Sequence, residues 1–215
     1  MDSDLFPETL APWREDIVPG AVVLRAFALA DAASLLDAVA RLVAAAPFRH
    51  LQTPGGQTMS VAMSNCGARG WVSDRRGYRY AETDPASGLP WPPMPAPLAD
   101  LARRAAAEAG FGGFAPDACL INHYTPGSRM GLHQDRDEAD LTQPIVSVSL
   151  GLPAIFLFGG ATRSERPRRL PLEHSDVVVW GGPARLFFHG IAPLKDGHHP
   201  ATGTCRLNLT FRRAL

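Results

Sequence analysis

From residue 118 to the C-terminus the chain falls into eight short apolar runs: 118–125, 130–135, 144–151, 154–158, 168–173, 176–181, 185–189 and 204–212. Turn-forming residues separate them, and no helical spacing intervenes. Strands that close together leave no room for crossover helices, so they pair antiparallel, as in a jelly-roll or barrel. The pairs Gly112-Gly113, Gly159-Gly160 and Gly181-Gly182 are turns, since none opens a helix as a phosphate loop would. Upstream, Ala21–Arg25 reads as a short strand. Leu35, Leu36, Val39, Leu42 and Val43 then recur at helical spacing, with Asp31 as N-cap and Pro47 as stop. Residues 97–110 form a second helix closed by Gly110.

At 215 residues the chain suits a single domain spanning 1–215, and 20 Gly with 20 Pro again favour many short strands. Lys+Arg and Asp+Glu balance at 21 each, so any attraction to nucleic acid must come from a local patch. Cys66, Cys119 and Cys205 are odd in number and form no CxxC pair. That argues against a disulfide framework or structural zinc and fits a reducing cytosol. The acidic start MDSDLFPETLAPWRED lacks the apolar centre of a secretory signal. No apolar run approaches the ~18 residues of a membrane span. The expectation is a cytoplasmic, soluble protein, with nothing in the sequence demanding more than a monomer.

The stretch Gly131-Leu132-His133-Gln134-Asp135-Arg136-Asp137 carries the first chemistry. Residues i and i+2 of a strand share a face, so His133 and Asp135 can reach one ion, and Asp137 has the same parity. An imidazole and a carboxylate are two-thirds of the 2-His-1-carboxylate triad that holds non-haem Fe(II) with open positions. Among the other histidines, His189 ends the strand-like run Arg185–His189. Its apolar neighbours place the ring at the edge of a dry core, where an unpaired imidazole is costly. A lone histidine there is commonly a satisfied core residue; with His133 and Asp135 in the chain it becomes the candidate third ligand. His50 and His198-His199 read as surface.

The run Arg206–Arg212 alternates strictly, with Arg206, Asn208, Thr210 and Arg212 on one face and Leu207, Leu209 and Phe211 on the other. A plain solvated strand has that pattern. Two guanidiniums with an amide and a hydroxyl between them also suit a small dicarboxylate. Asn122 and Tyr124 share a face of another strand and can complete such a pocket. Residues 50–94 have a different texture: Arg69, Arg75, Arg76 and Arg79 interleave with Trp71, Tyr78, Tyr80 and Trp91. Arginines among aromatics suit phosphates and an exposed base, although a polar hairpin with solvated charges has the same composition.

His133-x-Asp135, then His189, then Arg212 resembles the motif of Fe(II)/2-oxoglutarate dioxygenases. PDACLINHYTPGSRMGLHQDRDE, PIVSVSLGLPAIFLFGG, DVVVWGGPARLFFHGI and CRLNLTFR, together with TPGGQTMSVAMSNCG and a following GW, narrow the resemblance to the AlkB family of nucleic-acid dealkylases. The resemblance covers essentially the whole chain. It implies a mostly β (α+β) fold: a double-stranded β-helix (jelly-roll) core, two buttressing N-terminal helices, and residues 47–92 as a nucleotide-recognition lid.

The resemblance also implies roles. His133, Asp135 and His189 would ligate Fe(II) as the catalytic centre, with O2 as oxidant. Arg206 and Arg212 would bind the two carboxylates of 2-oxoglutarate, helped by Asn122, Tyr124 and Asn208. A flipped base would lie between Trp71 and His133, Tyr78 would contact the nucleic-acid backbone, and Asp137 and Arg163 would contact the base and its surroundings. The implied activity is oxidative demethylation of 1-methyladenine and 3-methylcytosine in single- or double-stranded DNA, and in RNA as a further substrate. Such direct-reversal DNA repair releases formaldehyde, succinate and CO2. Independently, an alkylated base is cationic, which a carboxylate and an aromatic face both favour, and a mispaired base is the easiest to extrude. Two rivals stand beside this reading. One is a 2-oxoglutarate-dependent hydroxylase of a protein or small-molecule substrate. The other is a nucleic-acid-binding module with a structural metal, which would call for a fourth protein ligand.

Overall fold

A computed structural model describes residues 11–215; the first ten residues of the acidic start lie outside it. In chain order the strands and helices are β1 (Trp13–Val18), β2 (Ala21–Arg25), α1 (Ala32–Ala45), β3 (Arg49–Gln52), β4 (Thr58–Gly67), β5 (Gly70–Asp74), β6 (Gly77–Ala81), α2 (Ala96–Glu108), β7 (Ala118–Tyr124), β8 (Met130–His133), β9 (Ile145–Gly151), β10 (Ala154–Phe158), β11 (Arg168–Leu172), β12 (Val177–Trp180), β13 (His189–Ile191) and β14 (Arg206–Arg212). An eight-stranded sheet runs β1-β2-β12-β9-β14-β7-β4-β3, and a four-stranded sheet runs β11-β10-β13-β8. Every pairing is antiparallel. The two sheets pack face to face as the expected jelly-roll.

Alternation along the strands decides what each face meets. On β14, Leu207, Leu209 and Phe211 point to a core shared with the helices. Helix α1 contributes Leu35, Val39 and Leu42 to that core, and α2 contributes Leu98, Leu101, Ala102 and Ala105. The opposite face of the large sheet sends Leu120, Tyr124, Val178 and Trp180 against Phe156, Phe158 and Leu170 of the small sheet. The second layer of helices therefore leaves the inter-sheet space free to hold polar groups. Asp31 precedes α1 but does not cap it with its side chain; its carboxylate pairs with Arg104 of α2 at 2.8 Å instead.

Two expected strands are shorter than their apolar runs. The run 130–135 ends as a strand at His133, where the chain leaves the sheet. The run 185–189 is not a strand before His189. Gly182, at φ 52°, and Pro183 turn the chain, Arg185 N and Phe187 N donate to carbonyls three residues back, and Leu186 stays exposed. Only His189 pairs with β8 and β10. Gly190 is required beside it, since a Cβ there would lie 2.6 Å from the Met130 carbonyl oxygen on β8.

Within residues 47–92, β3 and β4 continue the large sheet, with Val61–Cys66 buried. The hairpin β5–β6 stands apart as its own two-stranded sheet. No helix among the described residues is long and apolar enough to cross a membrane.

Leu101 is fully buried between α2 and the large sheet. Leu101→Ala is expected to destabilise the fold by about 2–5 kcal/mol, read from the urea unfolding midpoint. A loss below about 1 kcal/mol would show that α2 does not pack as described.

Candidate active site

Three side chains from two segments far apart in the sequence converge at the end of the small sheet. His133 closes β8, His189 opens β13 directly opposite it, and Asp135 follows two residues after His133. Their ligand atoms all lie within 4.8 Å of one another, and no further His, Cys, Asp or Glu among the described residues joins the cluster. His133 Nε2 is 3.5 Å from Asp135 Oδ1, and His189 Nε2 is 3.7 Å from Asp135 Oδ2. Each ring is held from behind: His133 Nδ1 bonds the Gly131 carbonyl at 2.9 Å and His189 Nδ1 the Phe187 carbonyl at 3.0 Å. A carbonyl only accepts, so Nδ1 carries the proton and Nε2 keeps its lone pair toward the centre.

The electrostatics suit a cation. Burial would raise the Asp135 carboxyl, but Arg212, His133 and His189 hold it well below the usual carboxylate range. Burial, with His133 alongside, lowers His189 to about 4, so its ring is neutral and ready to ligate at neutral pH. His133 is shifted upward: burial opposes the charge, but the hydrogen bond and charge of Asp135 outweigh it. Two histidines and one carboxylate with no fourth protein ligand fit Fe(II) with open positions rather than a closed structural site.

Beside this centre the inward face of β14 meets β7 and β9. Asn208 pairs in register with Asn122, and Arg206 with Tyr124. Asn122 Nδ2 donates to Asn208 Oδ1 at 3.1 Å, and Asn208 Nδ2 donates to Ser147 Oγ at 2.8 Å. The Arg206 guanidinium lies over the Tyr124 ring, 5.1 Å from its centroid, and gives one nitrogen to Ser149 Oγ at 3.0 Å. Its Nε and Nη1, and Asn122 Oδ1, are buried without a partner. A buried guanidinium with two idle donors and no carboxylate among the described residues is a receptor for an anion. That pocket fits one carboxylate of 2-oxoglutarate.

Arg212, six residues on, is placed differently. Its Nε and Nη2 both donate to Asp135 Oδ2, at 2.9 and 2.7 Å, and Nε lies 3.4 Å from Glu138 Oε1. Asp137 does not share a strand face with His133, because β8 has already ended; its Oδ2 instead accepts from Trp71 Nε1 at 2.9 Å. Trp71 and Tyr78 stack on the hairpin, centroids 5.5 Å apart and 13° from parallel, with Tyr78 exposed. Arg163 lies in the loop after β10, over the ring of Phe188 at 5.9 Å, the residue preceding His189.

Sequence reasoning missed Glu138, Arg185 and Tyr80. Glu138 accepts from Tyr80 Oη at 2.6 Å and from Arg185 Nη2 at 2.9 Å. Arg185 also donates to the Asp135 backbone carbonyl at 2.6 Å. Strand parity hid Glu138, an odd offset from Asp135; its place in the acidic string Asp135–Glu138 was the available signal.

Residues 20–212 match the family model of the 2OG-Fe(II) oxygenase superfamily. The chain is 59% identical over 211 residues to alpha-ketoglutarate-dependent dioxygenase AlkB of Salmonella typhimurium, covering 98% of this chain and 97% of that protein. It is 37% identical over 131 residues to nucleic acid dioxygenase ALKBH1 of Mus musculus, covering 59% of this chain and 33% of that one. The solved structure of OsALKBH1, 29% identical, superposes with a TM-score of 0.83 over 93% of this chain and 99% of its own. Sequence, fold and donor set agree: the chain belongs to the AlkB family of 2OG-Fe(II) oxygenases and is a dioxygenase dependent on Fe(II), 2-oxoglutarate and O2.

Proposed function

We propose that this dioxygenase removes N-methyl groups from 1-methyladenine and 3-methylcytosine in single- or double-stranded DNA, and in RNA, as a direct-reversal repair enzyme. The observation that carries the reading is the bond from Trp71 Nε1 to the Asp137 carboxylate, two residues beyond the ligand Asp135. An aromatic face and a carboxylate at the entrance to an oxidising centre suit a flat ring bearing positive charge. Methylation at these ring nitrogens confers that charge, and the unmodified base lacks it. The Salmonella relative is named as a dioxygenase dependent on the same cosubstrate, and the mouse relative as a dioxygenase of nucleic acid, which supports a nucleic-acid substrate here.

His133, Asp135 and His189 would hold Fe(II). Arg206 would bind one carboxylate of 2-oxoglutarate, with Tyr124, Asn122 and Asn208 closing the pocket around it. Arg212 holds Asp135 through two donors, and its remaining nitrogen would be available to the other carboxylate. Trp71 and His133 sandwich the flipped base, Tyr78 meets the backbone, Asp137 and Arg163 contact the base and its surroundings, and the lid over residues 47–92 excludes water. When bound, iron with 2-oxoglutarate and O2 oxidises the N-methyl carbon, which leaves as formaldehyde while the cosubstrate leaves as succinate and CO2.

Arg206→Ala is expected to weaken 2-oxoglutarate by about 100-fold, the loss of two charge-assisted hydrogen bonds, while changing oligonucleotide affinity by about twofold or less. Calorimetric titration of each ligand into Mn(II)-loaded protein checks this, and equal losses for both ligands would refute the pocket. Formaldehyde release should appear with oligonucleotides carrying 1-methyladenine or 3-methylcytosine and not with methylated peptides. Trp71→Ala should cut that release by at least about tenfold, on the scale of one lost stacking platform, while sparing 2-oxoglutarate decay without substrate. Release from peptides alone would favour a protein hydroxylase.

A further inference from the structure

Trp71 and Tyr80 are register partners on the hairpin β5–β6, so their side chains stand side by side on one face. Both reach the segment that carries the metal ligand Asp135: Trp71 bonds Asp137, and Tyr80 bonds Glu138. The Glu138 side chain is only 2% exposed and sits between two guanidiniums that are themselves buried. One is Arg185, which also holds the Asp135 backbone carbonyl; the other is Arg212, which holds the Asp135 carboxylate through two donors. Four segments thus meet on one buried carboxylate: the hairpin, the ligand loop, the turn before His189 and the last strand.

We infer that the seat of the hairpin and the placement of Asp135 are one linked unit, with Tyr80 and Glu138 as positioning residues that couple lid closure to metal binding. Both Arg212 bonds fall on Oδ2, which leaves Oδ1, 3.5 Å from His133 Nε2, as the oxygen for an ion. Glu138 fixes where Arg212 can lie. With Tyr80 seated, Glu138 Oε1 has a donor and shares Arg212 with Asp135. With the hairpin lifted, Glu138 loses that donor and draws Arg212 off Asp135, which loosens the ligand. In the other direction, an ion on Oδ1 fixes Asp135, and with it Arg212 and Glu138, so Tyr80 meets an acceptor already in place. Such coupling is reciprocal by thermodynamic necessity. It rests on the metal centre alone and holds whatever substrate the lid admits.

The test uses the full chain with Mn(II) as the only ligand, read by Mn(II) affinity and by amide hydrogen exchange of residues 70–81. In the unmodified protein Mn(II) is expected to slow hairpin exchange by about fivefold, the low end of ordinary site-to-site coupling. In Tyr80→Phe the slowing should shrink to less than about twofold, and the Mn(II) Kd should rise by about fivefold. Glu138→Gln should weaken Mn(II) in the same direction; if it does not fold, Tyr80→Phe decides alone, since it removes one oxygen. If Tyr80 merely props the hairpin, Tyr80→Phe will speed exchange equally with and without Mn(II) and leave the Kd unchanged, and the coupling is overturned. It is equally overturned if Mn(II) leaves hairpin exchange unchanged in the unmodified protein.

Discussion

Strand β14 is the constraint on which the rest depends. It is paired on both sides, with β7 and with β9, so it cannot slip by one residue without sending its apolar side chains into the inter-sheet space. Its register therefore commits Arg206, Asn208, Thr210 and Arg212 to burial between two sheets. Buried polar groups must find partners or leave the fold unstable. Asn208 and Thr210 are satisfied by each other and by β7 and β9, and Arg212 by Asp135. Arg206 has only Ser149 and the Tyr124 ring. One strand thus supplies both a finished polar network and an unfinished one, and the unfinished end is where we propose the cosubstrate binds.

The second organising element is a compact group of buried charges. Asp135 and Glu138 face Arg212 and Arg185, two carboxylates against two guanidiniums, all well shielded from solvent. Such pairs add little net stability, because desolvation offsets their attraction. Their value here is geometric. They hold a ligand carboxylate through both its side chain and its backbone, on a stretch that belongs to no strand. A chain with zero formal net charge carries this polarity entirely through local placement.

Much of this was legible in the sequence, for physical reasons. Strict alternation in Arg206–Arg212 survives as a strand paired on both sides without a register shift, because a period of two has only one way to bury Leu207, Leu209 and Phe211. The helices follow from spacing as well. His133, Asp135 and His189 were readable as candidate ligands, but for a reason only partly correct: His133 and Asp135 were expected on one strand face, whereas the strand stops at His133 and Arg185 and Arg212 position Asp135. The resemblance to a known family was needed to join them to the cosubstrate pocket. Apolar content misled at 185–189, since Gly182 and Pro183 turn the chain despite four strand-like residues ahead. Glu138 and Tyr80 stayed hidden because their meaning lies in contacts 58 positions apart, which no local pattern encodes.

The central claim is that one ion and one dicarboxylate share the space between the sheets. A crystal structure with Mn(II) and 2-oxoglutarate, with the metal located by anomalous scattering, tests it most directly. The expected result is a single Mn(II) within about 2.5 Å of His133, Asp135 and His189, with the remaining positions left to the cosubstrate and solvent. A cosubstrate carboxylate should lie on the idle nitrogens of Arg206. A fourth protein ligand on the metal, or Arg206 still without an anion while 2-oxoglutarate is bound elsewhere, would contradict the account.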